Sequence, residues 1–234
     1  EDASVRTEYY SGTGLTELFP LNSTGVKTHR DAFCIDFDLA PLKQRIADLV
    51  ALELSDDEIR EKYGLSDTHG WALEPCRRKL RSDPNWENAF TRVLYRPFDW
   101  RHIYFSPNVV ELARMEVSEN FLHDKNIGLI FMRQVASDEP YTHFLVTRDP
   151  VDNRCFYSNR GTMSFAPLFM DEFSHADNVL SAGVLQNKRV PNLRVEAIQN
   201  FHDVLGKAEF EQMPMETVVD YIYGVFHSTL YRSY

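Results

Sequence analysis

The sequence predicts an α+β fold, in which a mixed central sheet follows an N-terminal helical insert and precedes C-terminal helices. Three observations support this class. Apolar residues recur at helical spacing between residues 38 and 82, short β-branched and aromatic segments fill residues 89–170, and two long helical patterns occupy residues 191–234. Because 234 residues fit one large domain, we expect a single domain over residues 1–234.

The N-terminal part begins with a turn-rich segment and continues into three predicted helices. Asp38 can cap a helix that tolerates Pro41 in its first turn. Ser55-Asp56-Asp57-Glu58 is a capping box, and Gly64 suits the end of the helix that it opens. The predicted elements are a buried strand at Ala32–Phe37 and helices at Leu39–Leu52, Ser55–Gly64 and Gly70–Leu80.

The middle of the chain alternates between short apolar segments and turn signals such as Asp138-Glu139-Pro140. This pattern is typical of strands. Strands are predicted at Phe90–Tyr95, His102–Phe105, Ile127–Met132, Thr142–Val146, Cys155–Tyr157 and Ser164–Met170, and helices at Val109–His123, Pro191–Leu205 and Glu216–His227.

Two arginine-rich stretches are interpreted as structural. The stretch Arg96-Pro97-Phe98-Asp99-Trp100-Arg101 combines ion-pairing and aromatic residues, which favours a buried, ion-paired corner between two strands. The stretch Arg77-Arg78-Lys79, with Arg81, is expected to be a solvated face of a helix.

The net charge of −10 at pH 7 argues against nucleic-acid binding, because phosphate neutralisation requires local positive charge. The acidic residues cluster in Asp36–Asp67 and Glu196–Asp220, however, whereas the middle of the chain and its loops carry most of the arginines. This distribution leaves room for a basic face without establishing one.

The cysteines and the apolar runs indicate a cytoplasmic protein without a membrane span. Cys34, Cys76 and Cys155 have no CxxC spacing, which favours a reducing compartment and argues against zinc. The longest apolar runs, such as Ile127–Met132, are far shorter than the roughly 20 residues that a membrane helix needs. The chain opens with a polar segment instead of Met or a signal peptide, and it stops inside a helical pattern, so we expect a fragment of a longer protein.

Several classes of catalytic site are excluded by their missing motifs. The sequence has no GxxxxGK[ST], GxGxxG, GxSxG or HExxH, and no tetrapeptide of the Asn-Pro-Pro-Tyr type that an adenine methyltransferase would show. Its eight histidines are scattered singly, and its paired acids lie at turns or helix starts, where capping explains them. We therefore expect no catalytic residue in this chain.

Four loop stretches carry side chains of the kind that read nucleic acid. Arginine can fork onto guanine and glutamine or asparagine onto adenine, while lysine and hydroxyl groups suit phosphate oxygens. The candidate DNA-binding residues are Lys27, Thr28, His29 and Arg30, then Arg133 and Gln134, then Arg154, Asn159 and Arg160 around a predicted hairpin, and Lys188 and Arg189 before a helix.

Each stretch also has a purely structural interpretation. The loop at residues 25–31 can be solvated with an Arg30–Asp31 ion pair, and Arg133 can be held at a strand end by a carboxylate. Hairpin loops are polar by default, and the Lys188–Arg189 stretch can be a solvated loop. These alternatives stay open on the sequence alone.

Four stretches together resemble a known family. They are LFPLNSTGVKTHRDAF (residues 18–33), YRPFDWRHIYFS (95–106), NIGLIFMRQ (126–134) and DYIYGVFHSTLYRSY (220–234). In this order and spacing they are similar to the C-terminal specificity domain of Type ISP restriction–modification enzymes. Pro167-Leu168-Phe169 resembles a family block with Tyr in third place, and His227-Ser228-Thr229 departs from the more usual His-Ser-Pro.

The resemblance implies a target-recognition domain that holds double-stranded DNA against the methyltransferase domain of the same polypeptide. The parent enzyme would methylate adenine at N6 with S-adenosylmethionine, and would use ATP and Mg for helicase and endonuclease activities in other domains. The resemblance cannot identify base-reading residues, because these vary with the target sequence.

Two other functions are weighed. An acidic protein-interaction or scaffold module that docks onto partner domains is favoured by the net charge and by the aromatic C-terminal helix. A small hydrolase that uses His29 and Asp31 has only the proximity of these two residues in its favour.

Overall fold

The fold is described from a computed structural model, which covers residues 7, 12–122, 125–136, 138–172 and 188–233. It confirms the α+β class. The helices are α1 (Leu15–Leu18), α2 (Asp31–Cys34), α3 (Leu39–Val50), α4 (Asp56–Tyr63), α5 (Leu73–Ser82), α6 (Met115–Ser118), α7 (Val195–Leu205), α8 (Lys207–Gln212) and α9 (Glu216–His227). The strands are β1 (Ile35–Asp36), β2 (Phe90–Arg96), β3 (Asp99–Tyr104), β4 (Gly128–Met132), β5 (Phe144–Thr147), β6 (Met163–Pro167), β7 (Phe169–Glu172) and β8 (Lys188–Pro191).

The strands form three small antiparallel sheets instead of the one mixed sheet that the sequence predicts. Their orders are β1-β3-β2, β5-β4-β6 and β7-β8. Among the described residues, parallel pairing occurs in two isolated bridges, Val26 with Asp152 and Leu94 with Val151. These bridges join the first sheet and the N-terminal segment to the loop that precedes β6.

The helical insert follows its local sequence signals closely. The capping box is confirmed, because the Ser55 amide donates to Glu58 Oε2 at 2.7 Å and the Glu58 amide donates to Ser55 Oγ at 3.3 Å. Gly64 ends α4 with φ of 61°, a left-handed conformation that glycine adopts at little cost. The insert packs on the first sheet around Leu42, Ile46 and Leu80.

Arg77 corrects the expectation of a solvated arginine face on α5. Its side chain is 2% exposed, and it donates to the carbonyl oxygens of Leu49 at 2.8 Å, Ala51 at 2.7 Å and Leu54 at 2.6 Å. It also pairs with Asp56. Because helix C-termini leave carbonyl groups without intrahelical partners, the buried guanidinium holds the end of α3 and the loop after it.

Two predicted elements near the first sheet are wrong in part. Ala32–Phe37 is mostly a helical turn, since the Phe33 and Cys34 amides donate to the Arg30 carbonyl, and only Ile35–Asp36 is a strand. The predicted helix at Val109–His123 is reduced to α6 and a 3-10 turn at Glu119–Phe121, and His123 lies outside the described residues. Leu112 instead exchanges backbone hydrogen bonds with Lys27, which a helix would prevent.

Two other expectations are corrected further along the chain. Cys155–Tyr157 is a turn, because the Cys155 amide bonds back to the Asp152 carbonyl at 2.9 Å. The predicted helix at Pro191–Leu205 starts only at Val195, since Lys188–Pro191 pairs with β7 as a strand.

The corner at residues 96–101 is ion-paired as predicted but is not buried. Arg101 pairs with Asp99 at 2.8 Å, and Arg96 pairs with Asp152 at 2.7 Å. Phe98, at the turn between β2 and β3, is 77% exposed.

Three apolar clusters form the core. The first lies between the helical insert and the first sheet, the second between the β5-β4-β6 sheet and the C-terminal helices, and the third on the other side of β4 and β6. Cys34, Cys76 and Cys155 are buried, free thiols. Within the described ranges, no helix has the length and apolar character needed to cross a membrane.

Candidate nucleic-acid interface

Antiparallel pairing of β4 with β6 brings two of the predicted stretches together. Met132 at the end of β4 is opposite Met163 at the start of β6, so residues after β4 lie beside residues before β6. A Cβ placed on Gly161 would lie 3.6 Å from the carbonyl oxygen of Gln134, which shows how closely the two loops approach.

A buried carboxylate places Arg154 at the same end of the sheet. Asp152 Oδ1 accepts a hydrogen bond from the Arg154 amide at 2.9 Å and another from Arg96 Nη1 at 2.7 Å. Burial raises the pKa of Asp152, while these hydrogen bonds and the charge of Arg96 oppose the rise. Val151 and Cys155 on either side belong to the same apolar cluster as Met132 and Met163.

We call this region the Met132–Met163 end, and its five candidate side chains are all exposed. They are Arg133, Gln134, Arg154, Asn159 and Arg160. Within the described residues, the three guanidinium groups form no hydrogen bond or ion pair. Unpaired arginines at one end of a sheet can bind phosphate oxygens or base edges, whereas paired ones are already committed to the fold.

The loop at residues 27–30 divides into buried and accessible side chains. Thr28 is fully buried and donates its hydroxyl to Asp31. Arg30 donates to the carbonyl oxygens of Thr28 and Val109 and pairs with Glu111 at 3.1 Å, so it holds the loop in place of the Arg30–Asp31 pair that the sequence leaves open. The described structure thus gives Thr28 and Arg30 internal partners.

Lys27 and His29 are the accessible members of that loop. Lys27 is half-buried, and its backbone pairs with Leu112. His29 has φ of 58° and lies with Nδ1 2.9 Å from Glu111 Oε1. The Asn153 amide donates to the Val26 carbonyl at 2.8 Å, so this loop begins next to the segment that carries Arg154.

Lys188 and Arg189 lie at the opposite end of the β5-β4-β6 sheet. They belong to β8, which pairs with β7, and β7 follows the Pro167 end of β6. Arg189 pairs with the buried Asp171 at 3.0 Å and donates to the Lys125 carbonyl at 2.6 Å. The structure therefore separates these two candidates from the Met132–Met163 end.

Two exposed aromatic residues were not among the predicted site residues. Tyr157 is 74% exposed in the loop between Arg154 and Asn159, and its position in a polar hairpin stretch could have drawn attention to it. Nothing in the sequence marks Phe98 as a site residue, because the residues around it favour a buried corner.

Comparisons with known proteins give one family model that matches the sequence and several solved structures with a similar fold. The sequence model of the Type ISP C-terminal specificity domain matches residues 17–234. The structure of a DrdV–DNA complex is similar with a TM-score of 0.63 and 19% identity, and that of the ATP-dependent Type ISP enzyme LlaBIII bound to DNA with 0.64 and 18%. A nuclease-deletion mutant of LlaGI with a DNA substrate mimic gives 0.54 and 16%.

These similarities cover most of this chain but little of the other proteins. They extend over 95%, 94% and 94% of this chain, and over 21%, 14% and 19% of the DrdV, LlaBIII and LlaGI chains. No curated protein sequence matches the chain.

Proposed function

The chain belongs to the family of Type ISP C-terminal specificity domains, and on that premise we propose that its Met132–Met163 end reads a short, asymmetric sequence in duplex DNA. Its general role, DNA target recognition in a restriction–modification enzyme, follows from the family. The observation that supports the choice of this surface is that three exposed arginines, which form no ion pair within the described part of the chain, lie at one end of the sheet with one glutamine and one asparagine.

The chemistry of these side chains suits direct readout in the major groove. An arginine can donate two hydrogen bonds to guanine O6 and N7, and an amide side chain can both donate to and accept from adenine. Arg133 and Gln134 directly follow a strand whose five residues are all buried, so they are attached to a packed part of the fold. A rigid base of this kind fixes which base edge each side chain can reach.

The candidate residues outside the Met132–Met163 end take other roles. Lys27 and His29 contact backbone phosphates, which fixes the register of the domain on the duplex without reading sequence. Thr28 and Arg30 position that loop from the interior, and Arg189 holds β8 against β7 and the segment before β4.

The catalytic steps belong to other domains of a longer parent enzyme. Among the described residues there is no group of three His, Cys, Asp or Glu side chains placed to hold a metal ion, and the sequence has no phosphate-binding glycine-rich motif. We assign Mg, ATP and S-adenosylmethionine to the methyltransferase, helicase and nuclease domains of the parent enzyme. This chain, in the cytoplasm, presents the DNA to the methyltransferase domain for methylation of an adenine at N6.

A selection experiment tests this proposal. The protein is incubated with a randomised duplex library at low and near-physiological salt, and bound sequences are read. We expect enrichment of one short asymmetric sequence. Arg133→Ala should then weaken binding about 5-fold to 150-fold and relax the preference at one base pair, which corresponds to about 1–3 kcal/mol.

Arg78→Ala is the matched control, because Arg78 is an exposed arginine on the helical insert with only Glu74 as partner. It should leave affinity and sequence preference unchanged. The proposal is refuted if Ala substitutions at Arg133, Gln134, Arg154, Asn159 and Arg160 all behave like Arg78→Ala.

A docking module is the second candidate, and one observation favours it. Val195, Val204 and Tyr221 on the C-terminal helices are 77%, 82% and 66% exposed. Such apolar side chains suit contact with another protein surface. A folded protein that binds no DNA at either salt would favour this function over target recognition.

A further inference from the structure

The two-residue turn between β2 and β3 places a phenylalanine after Pro97 in a left-handed conformation. Phe98 has φ of 62°, in the left-handed region that bulky L-residues rarely adopt, and its side chain is 77% exposed. Glycine or asparagine would fit this turn with less strain. The fold therefore keeps both backbone strain and exposed apolar surface at one position.

The ring of Phe98 has no partner within the described residues. Neighbouring rings are engaged, since the Arg96 guanidinium lies 3.8 Å from the Tyr95 ring centroid and that of Arg101 lies 4.1 Å from the Phe37 centroid. Phe98 takes part in no such contact. Strain that persists at an exposed residue, without internal packing to compensate for it, points to a function of that residue.

The turn is fixed beside the Met132–Met163 end by hydrogen bonds at its base. Leu94 in β2 forms a parallel bridge with Val151, so both segments run in the same direction toward Arg96 and Arg154. Asp152 Oδ1 then accepts hydrogen bonds from both of these arginines. One buried carboxylate thus ties the base of the β2–β3 turn to the turn that carries Arg154.

The position of the ring identifies the partner. Two of the three arginines of the β2–β3 hairpin are already ion-paired, Arg96 with Asp152 and Arg101 with Asp99, so charge alone does not select a partner. The turn projects an apolar aromatic ring beside the proposed DNA-reading surface, and such a ring is complementary to nucleic acid, whose bases stack.

We propose that Phe98 is a wedge that inserts between two base pairs of the duplex, next to the bases that the Met132–Met163 end reads. The inference rests on the proposed function. Because a wedge unstacks one step and bends the duplex there, Phe98 also selects for a sequence that opens easily at that step.

Fluorescence of 2-aminopurine tests the wedge directly. Duplexes that contain the selected sequence carry 2-aminopurine at successive positions, since its emission rises when the base unstacks. Binding of the wild-type protein should raise emission at one step beside the site. Phe98→Gly should abolish this rise and weaken binding about 5-fold to 150-fold, the range for losing one aromatic–base stack.

Two further variants and a thermal melt separate function from folding. Phe98→Leu keeps an apolar wedge and should retain part of the fluorescence change. Tyr221→Ala removes an exposed aromatic from α9 and should alter neither affinity nor emission. The melting temperature of Phe98→Gly should equal or exceed that of the wild type, because glycine relieves the strained φ.

The outcomes distinguish this inference from the proposed function. If Phe98→Gly binds and unstacks DNA like the wild type while Arg133→Ala is weakened, the wedge is refuted and target recognition stands. A large drop in the melting temperature of Phe98→Gly would assign the ring to the fold and also overturn the wedge. If the folded wild-type protein binds no duplex at either salt, the proposed function fails and the wedge fails with it.

Discussion

Replacing Gly25 with alanine should disrupt the contact between the 25–30 loop and the segment that carries Arg154. A Cβ at this position would meet the Val151 carbonyl oxygen, and would lie 2.7 Å from the Asp152 carbonyl carbon and 2.8 Å from the Asn153 nitrogen. All three are backbone atoms, so no side-chain rotation can relieve the overlap. The two segments must separate.

The cost follows from the bonds that separation breaks. Two backbone hydrogen bonds join the segments, from the Val26 amide to Val151 at 2.7 Å and from the Asn153 amide to Val26 at 2.8 Å. Each contributes about 0.5–1.5 kcal/mol, and overpacking adds about 1–3 kcal/mol. We expect Gly25→Ala to lower the free energy of unfolding by about 2–6 kcal/mol, which lowers Tm by about 4–24 °C in a domain of this size.

Denaturant unfolding and DNA binding together measure the effect. Gly14→Ala is the matched control, because a Cβ on Gly14 meets no atom within 4 Å. It should change stability by less than about 0.5 kcal/mol. Displacing Lys27 and His29 should also weaken binding of cognate and unrelated duplexes alike. If Gly25→Ala is as stable as Gly14→Ala, the two segments do not approach each other in this way and our account of the loop is wrong.

Two further predictions concern the helical insert. Arg77→Met should lower the free energy of unfolding, measured by urea titration, by about 3–5 kcal/mol, because it leaves buried carbonyl groups without donors. The control Arg78→Ala should change this free energy by less than about 0.5 kcal/mol. Equal effects of the two substitutions would contradict the role of Arg77 in capping α3. Burial raises the pKa of Asp48, but hydrogen bonds from Lys62, Tyr63 and Gln44 outweigh burial and hold it below 3.8. Ionised Asp48 therefore stabilises the fold above that pH, and this contribution is lost as the pH falls through the lowered pKa. The difference in unfolding free energy between wild type and Asp48→Asn should shrink below pH 3.8. A difference that grows in acid would refute the assignment.

Elements with local signals could be predicted from the sequence. The helix at Asp56–Tyr63 is specified by Ser55 and Glu58 at its start and by Gly64 at its end, all within ten residues. The α9 helix at Glu216–His227 has the predicted bounds because its apolar face is continuous. These elements need no distant partner to be recognised.

Elements that depend on distant partners could not be predicted. The apolar spacing at Val109–His123 suits a helix, but Leu112 pairs with Lys27, and Arg114 takes a φ of 51°. Arg77 and Arg78 are adjacent and chemically identical, yet one is buried against carbonyl groups that lie more than 20 residues earlier. Only the tertiary structure distinguishes them.

The candidate site shows the same division between residue type and environment. Residue type selected side chains whose chemistry suits base reading, but it could not tell Arg133, which forms no ion pair within the described residues, from Arg30, which pairs with Glu111. Whether each arginine is paired depends on where the nearest carboxylate lies in the folded protein. For the same reason, the sequence placed Phe98 in a buried corner, although its ring is exposed.

The net charge of −10 does not conflict with DNA binding, because charges act over short distances in salt. At about 0.15 M salt the field of an exposed charge decays over about 8 Å. Asp152, the carboxylate bonded beneath Arg154, is buried and paired with Arg96. Two acids of the Asp36–Asp67 cluster are paired near the first sheet, Asp36 of β1 with Arg45 and Asp48 of α3 with Lys62. The Met132–Met163 end offers a phosphate three arginines that form no ion pair within the described residues, with the exposed acids Asp138 and Glu139 further along the loop after Gln134. If Arg133, Arg154 and Arg160 all contact phosphate, the logarithm of the DNA-binding constant should fall with the logarithm of the salt concentration with a slope near −3. Removing one of these arginines from a phosphate contact should reduce the slope by about one. An arginine that reads a base should change the preferred sequence and leave that slope nearly unchanged, so one salt titration per variant separates the two roles.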